Sequence, residues 1–132
     1  MKLKILVIDD EEAIRDIIRH GFEAGYEVHA AGDGRTGIEQ YKKYDPDLIF
    51  LDMNLPDMTG LEIFSVLKAR GCRAVVIMLT GNEDLALAQR ALDKGISQYV
   101  TKPFDLEYLR GAVQDALSKR PGGGGRPWRI QP

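Results

Sequence analysis

The stretch Leu48-Ile-Phe-Leu-Asp52-Met-Asn-Leu-Pro56-Asp-Met-Thr-Gly60 decides the fold, because an apolar run ends there abruptly on a carboxylate. Leu48 to Leu51 fits a buried strand or a fragment of buried helix, and the flanking Asp45-Pro46 and Asn54-Leu-Pro56 favour the strand. Asp52 then lies at a strand's carboxyl end, where open α/β sheets bind ligands. Thr59-Gly-Leu-Glu62 has the form of a capping box, so a helix starts there, with Leu61, Phe64 and Leu67 inward.

Working outward, apolar runs alternate with stretches of helical period five times, the pattern of a parallel sheet covered by helices on both faces. Toward the amino end, Leu3–Ile8 reads as a strand, and Ala13, Ile14, Ile17, Ile18 and Phe22 mark a helix stopped by Gly25. Val28 and Ala30 alternate with Glu27 and His29, which places that strand near an edge. Asp33-Gly34 then turns the chain into a helix ending near Lys43. Toward the carboxyl end, Ala74 to Leu79 is a fourth strand, and Thr80-Gly81-Asn82 is expected to cap a helix from about Glu83 to Lys94, ended by Gly95. Gln98–Thr101 is a short fifth strand. Asp105 is the expected N-cap of a last helix with Leu106, Leu109, Val113, Ala116 and Leu117 inward.

The chain's 132 residues suit one domain, assigned to 1–118. Residues 119–132, with four consecutive glycines and two prolines before the end, read as a linker or a leftover of cloning. A net charge of −2 gives no basic excess, so direct nucleic-acid binding is not expected. The single cysteine, Cys72, cannot form an internal disulfide, and no apolar stretch approaches the roughly 20 residues that span a bilayer. Leu3 to Ile8 is too short for a secretory signal core, so a reduced, cytoplasmic location without membrane contact is expected.

Three carboxylates reach one sheet edge: Asp9 and Asp10 after the first strand and Asp52 at the end of the third. A lone Asp after a strand is ordinarily an N-cap. Three together repel, each pair at about 4 Å by on the order of 4 kcal/mol at an effective dielectric near 20, so the group needs raised pKa values or a cation. All-oxygen ligands favour a hard ion, Mg²⁺ above all, with Mn²⁺ able to substitute. Two further strand ends supply the Thr80 hydroxyl and the Lys102 ammonium. A carboxylate nucleophile, a metal, a hydroxyl and a cation together equip the edge for phosphoryl transfer to Asp52.

Ile8-Asp9-Asp10-Glu11, Asp52 through Gly60, Thr80-Gly81 and Lys102-Pro103-Phe104 resemble the receiver domain of two-component response regulators over residues 3 to about 118. The resemblance implies a flavodoxin-like (βα)5 fold with strand order 2-1-3-4-5. It implies phosphorylation of Asp52 by a histidine kinase or histidine phosphotransfer protein, and a signalling phosphoacceptor that promotes only its own phosphorylation and dephosphorylation. Asp10 and Asp52 would bind Mg²⁺ directly, Asn54 through its main-chain carbonyl and Asp9 through water. Thr80 would close on the phosphoryl group, Lys102 would be its charge partner, Tyr99 would swing inward with Thr80, and Lys102–Pro103 would be cis. Helix four, strand five and helix five would carry the signal to an output and offer a surface for a homodimer.

Particular to this chain are Asn54 and Asn82, neutral amides expected to influence acyl-phosphate lifetime, and the broad apolar face of the first helix. On that face Ile14 and Ile17 or Ile18, with Pro103 and Phe104, are expected to dock the kinase. Two rival classes fit less well. A haloacid dehalogenase-type phosphatase wants a second Asp where Asn54 stands, and a flavin- or nucleotide-binding module wants a glycine- or hydroxyl-rich loop where Asp9-Asp10-Glu11-Glu12 would repel phosphate.

Overall fold

The computed structural model describes residues 2–119, apart from the Asn82 side chain, so the tail from residue 120 onward lies outside the described residues. Five parallel strands, β1 (Leu3–Ile8), β2 (Tyr26–Ala31), β3 (Leu48–Asp52), β4 (Val75–Thr80) and β5 (Gln98–Thr101), form one sheet in the order β2-β1-β3-β4-β5. Five helices connect or follow them: α1 (Glu12–Phe22), α2 (Gly34–Tyr44), α3 (Gly60–Ala69), α4 (Leu85–Lys94) and α5 (Leu106–Ser118). This is the flavodoxin-like doubly wound arrangement.

Side-chain parity divides the core in two. Ile5 and Val7, Leu48 and Phe50, and Val75, Ile77 and Leu79 point to the face covered by Ile18 and Phe22 of α1 and Leu109 and Val113 of α5. Their alternates, Leu6 and Ile8, Ile49 and Leu51, Val76 and Met78, meet Ile63, Phe64 and Leu67 of α3 and Ala88 and Ala91 of α4. Burial on both faces is why the central strands read as unbroken apolar runs. β2 has only β1 beside it, and its residues are mostly half-buried, as its alternating sequence led one to expect.

The helices depart from expectation in detail. On α1, Ile18 and Phe22 are buried, Ile14 is half-buried, and Ala13 and Ile17 are exposed; the helix ends at Phe22, before Gly25. On α3, Ile63 takes the fully buried place and Leu61 is only partly covered, because the helix faces the sheet through Gly60, Ile63, Phe64 and Leu67. On α5, Ala112 joins Leu109, Val113 and Ala116 in the core, with Leu106 and Leu117 flanking. The largest difference is at α4, which starts at Leu85 after a 3-10 turn at Asn82–Asp84. Thr80 does not cap it: Thr80 is held in the sheet opposite Thr101, and its hydroxyl donates to the Gly81 carbonyl. Gly95 does end α4, in the left-handed region at φ 118°.

Register aligns the carboxyl ends. Ile8 pairs with Leu51, Asp52 with Leu79, and Thr80 with Thr101, so Asp9, Asp52, Thr80 and Lys102 emerge at one edge.

Candidate functional site

At that edge Asp9, Asp52 and Thr80 are buried, Asp10 is exposed, and one carboxylate oxygen from each of Asp9, Asp10 and Asp52 lies within 4.8 Å of the others. Lys102, aimed inward after the cis Lys102–Pro103 peptide, brings Nζ to 2.8 Å from Asp9 Oδ2, 2.9 Å from Glu11 Oε2 and 3.5 Å from Asp52 Oδ1. The contact with Glu11 has hydrogen-bond geometry. Asp9 Oδ2 is fully enclosed, and its close partner is the Lys102 ammonium. Asp9 Oδ1 accepts from the Glu11 N–H at 2.9 Å, and Asp52 Oδ1 accepts a long 3.5 Å bond from the Asn54 N–H. Arg15 reaches back from α1 to donate to the Asp9 carbonyl at 2.8 Å.

Burial dominates the electrostatics. It pushes Asp52 up to about 7, aided by the neighbouring Asp9 charge and opposed by Lys102 and the Asn54 N–H. Burial likewise raises Asp9 above the usual carboxylate range, against the hydrogen-bonding and charge of Lys102. For Lys102 burial acts downward, but bonds to Asp9 and Glu11 and the charge of Asp52 outweigh it, and the ammonium stays protonated well above neutrality. The Lys102 ammonium therefore does not outweigh the burial of Asp9 and Asp52. An all-oxygen donor set and this excess of negative charge fit a hard divalent ion.

Residues 5–114 match the family model described as the response regulator receiver domain. The chain belongs to that family. It is 35% identical over 115 residues to the regulatory protein AtoC of Escherichia coli, covering 86% of this chain and 25% of AtoC. It is 33% identical to the chemotaxis protein CheY of Halobacterium salinarum, covering 89% of this chain and 99% of that protein. Among solved structures, a response regulator receiver domain protein from Clostridium thermocellum superposes with a TM-score of 0.82 at 33% identity, covering 88% of this chain and 94% of that one. The receiver module thus makes up a quarter of one relative and nearly all of another. Receiver domains are phosphoacceptor modules of two-component signalling, and that role is this chain's in outline.

The receiver's residues singled out in the sequence do not all converge. Asp9, Asp10, Asp52 and Lys102 meet. Thr80 stands beside them with its hydroxyl turned to Gly81, and Tyr99 packs on the α3–α4 face, where its hydroxyl accepts from Gln89 Nε2 on α4 at 3.1 Å. The Asn54 amide donates to Asp84 Oδ2 at 2.7 Å, while the Asn82 side chain lies outside the described residues. Sequence reasoning gave no site role to Glu11 or Asp84. Glu11 could be suspected from its place beside the Asp pair; Asp84 left no local signal, since its partner is 30 residues away.

Proposed function

We propose that Asp52 accepts a phosphoryl group from the phosphohistidine of a histidine kinase or a histidine phosphotransfer protein. The observation that supports this reading is the convergence of the Asp9, Asp10 and Asp52 oxygens within 4.8 Å, at strand ends, with Lys102 against them. An Asp52 carboxylate oxygen attacks phosphorus, the P–N bond breaks, its electron pair returns to the imidazole, and an acyl phosphate remains on Asp52. Asp9, Asp10, Asp52 and the Asn54 carbonyl are the groups that would hold Mg²⁺, which when bound supplies the positive charge that keeps Asp52 ionised and offsets the phosphoryl oxygens. Lys102 supplies the remaining cation from within the fold.

The Thr80 hydroxyl then leaves Gly81 for a phosphoryl oxygen, Tyr99 leaves Gln89 and turns inward, and the surface of α4, β5 and α5 changes. On that surface Leu92 and Tyr108 are exposed apolar groups available to a partner or a second copy. Kinase docking falls to Ile14, Ile17, Pro103 and Phe104; Ile18 is fully buried and is removed from the patch. No described helix is long and apolar enough to cross a membrane. Phosphotransfer from a histidine kinase is the ground for reading the protein as cytoplasmic. Residues 1–118 act as one receiver. The protein turns over no substrate besides its own phosphoryl group, and Asn54 stands where a dehalogenase-type phosphatase would need its acid.

Acetyl phosphate with Mg²⁺ tests the reading. The protein gains the mass of one labile phosphoryl group, and the gain is lost in Asp52→Ala or in excess chelator. Steady hydrolysis of phosphate esters, or labelling that survives Asp52→Ala, overturns it.

A further inference from the structure

Asp84 occupies the N-cap position of α4 and does not cap it. Asp is among the best N-cap residues, and the Asp33, Thr59 and Asp105 side chains do cap α2, α3 and α5, each accepting the N–H three residues on. Those three residues have extended backbones, with ψ of 172°, 159° and 161°; Asp84 sits at φ −107°, ψ 14°, the end of a 3-10 turn. Its carboxylate has gone elsewhere, to the Asn54 amide at 2.7 Å. That bond spans the edge of the site, tying the compact turn after Asp52, closed by the Asn54–Thr59 bridge, to the segment after Thr80.

The turn is also wired to Thr80. The Gly81 carbonyl accepts both the Thr80 hydroxyl, at 3.1 Å, and the Asp84 N–H, at 3.1 Å. A Thr80 hydroxyl that leaves Gly81 therefore removes one of the two ties on the carbonyl that closes the 3-10 turn and frees it to shift. Asp84 already has the φ of Asp105, −107° against −106°, and differs from it in ψ, so rewinding of the 3-10 turn is what would bring it to the capping conformation.

We propose that Asp84 is a positioning residue with two alternative partners: it holds Asn54 across the site in the unphosphorylated protein, and it exchanges Asn54 for the Leu87 N–H, capping α4, when Thr80 closes on a phosphorylated Asp52. An N-cap and a charge-assisted hydrogen bond are of comparable strength, so neither arrangement dominates by a wide margin and a small displacement at Thr80 decides between them. The exchange carries occupancy of Asp52 to the first turn of α4, through side chains and a carbonyl already in contact. The link to phosphorylation rests on the phosphoacceptor role of Asp52; the competition between Asn54 and the cap does not.

Amide hydrogen exchange at Leu87 reads the cap directly. In the wild-type protein treated with acetyl phosphate and Mg²⁺, protection of Leu87 rises roughly five-fold, the size expected of one gained N-cap. Asn54→Ala raises it without any phosphoryl donor, because Asp84 is released. Asp84→Ala shows no rise in either state, and Asp84→Asn, whose amide oxygen still accepts, restores it. Unchanged Leu87 protection in Asn54→Ala overturns the exchange whatever happens at Asp52. Unchanged protection in wild-type protein whose mass shows the added phosphoryl group overturns the link to phosphorylation. A missing mass gain instead refutes the phosphoacceptor role, and Leu87 protection in Asn54→Ala then decides the exchange by itself.

Discussion

The segment after β3 and the segment after β4 both start at the carboxyl edge of the sheet and both lead into a ten-residue helix, yet only the first is pinned. Thr59 and Glu62 close a complete capping box at the start of α3, and the Gly60 N–H donates to the Met53 carbonyl at 2.6 Å. A Cβ on Gly60 would lie 2.6 Å from the Asp52 carbonyl oxygen, so the helix start rests directly on the backbone of the nucleophile. Asp57 extends the anchoring by accepting from the Gly34 and Arg35 N–H groups at the start of α2, which holds its carboxyl below the usual range. After β4 there is a 3-10 turn, no side-chain cap, and a glycine, Gly81, whose Cβ would have the Glu83 carboxylate as its nearest neighbour. One wall of the site is anchored by a capped helix start packed on the strand backbone, and the other by side-chain contacts and a single turn. A phosphoacceptor needs both: a fixed attacking atom, and a neighbour able to respond once it is modified.

The largest effect expected of this asymmetry is on pH dependence. Asp52 is buried at the end of β3, and taking up a proton relieves the desolvation of its carboxylate. An unfolded Asp titrates near 3.9, whereas folded Asp52 titrates at about 7 and Asp9 is also raised. Between about pH 4 and 7 the folded protein therefore binds more protons than the unfolded one, and stability falls as pH rises through that window, in total by on the order of a few kcal/mol. Urea midpoints measured in chelator across the window should show this slope. Asp52→Asn should remove most of it, and added Mg²⁺ should flatten it. A flat profile in chelator would mean that Asp52 reaches solvent and that the β3 wall is not rigid.

Next in size is Gly60→Ala. The Asp52 carbonyl oxygen and Met53 Cα are backbone atoms that cannot yield as a side-chain tip can, so the first turn of α3 must lift off β3, at a cost of roughly 1–3 kcal/mol in urea denaturation. A near-neutral Gly60→Ala would show that the β3 side moves as easily as the other.

What the sequence disclosed and what it hid follow the same division. The five apolar runs, the capping box at Thr59 and the carboxylates at Asp9, Asp10 and Asp52 are signals carried within a few residues of each other or by strand ends, and the structure places them together. Register and parity convert them into a site without further information. The pinned wall was therefore readable almost entire. The mobile wall was not: a cap was expected at Thr80 to Asn82, where the chain makes a 3-10 turn and starts α4 only at Leu85. The Asn54–Asp84 and Lys102–Glu11 contacts join residues 30 and 91 positions apart, and exposed polar side chains at such separations leave no periodic trace. The width of the α1 apolar face had a similar fate. Five apolar residues at helical spacing could not reveal which of them the sheet would cover, and the sheet covers Ile18 and Phe22 while Ile17 stays 43% exposed.

The smallest expected change in stability is also the sharpest probe of the asymmetry. Gly81→Ala is the β4 counterpart of Gly60→Ala, a methyl added on the other wall. Its Cβ would come to 2.6 Å from Glu83 Oε1, and its three nearest atoms all belong to the Glu83 carboxylate, the far end of a flexible and exposed side chain that can rotate away. Gly81 is not among the glycines with positive φ, so alanine meets no backbone strain there. The urea midpoint should correspond to a change within about 0.5 kcal/mol. The methyl nevertheless takes up room beside Thr80, where a phosphoryl group on Asp52 must be received, so labelling by acetyl phosphate should slow several-fold while the fold is intact. A stability loss matching that of Gly60→Ala would make the two walls equivalent. Full-rate labelling in a stable Gly81→Ala would place the space needed by the phosphoryl group elsewhere, between Lys102 and the turn at Asn54.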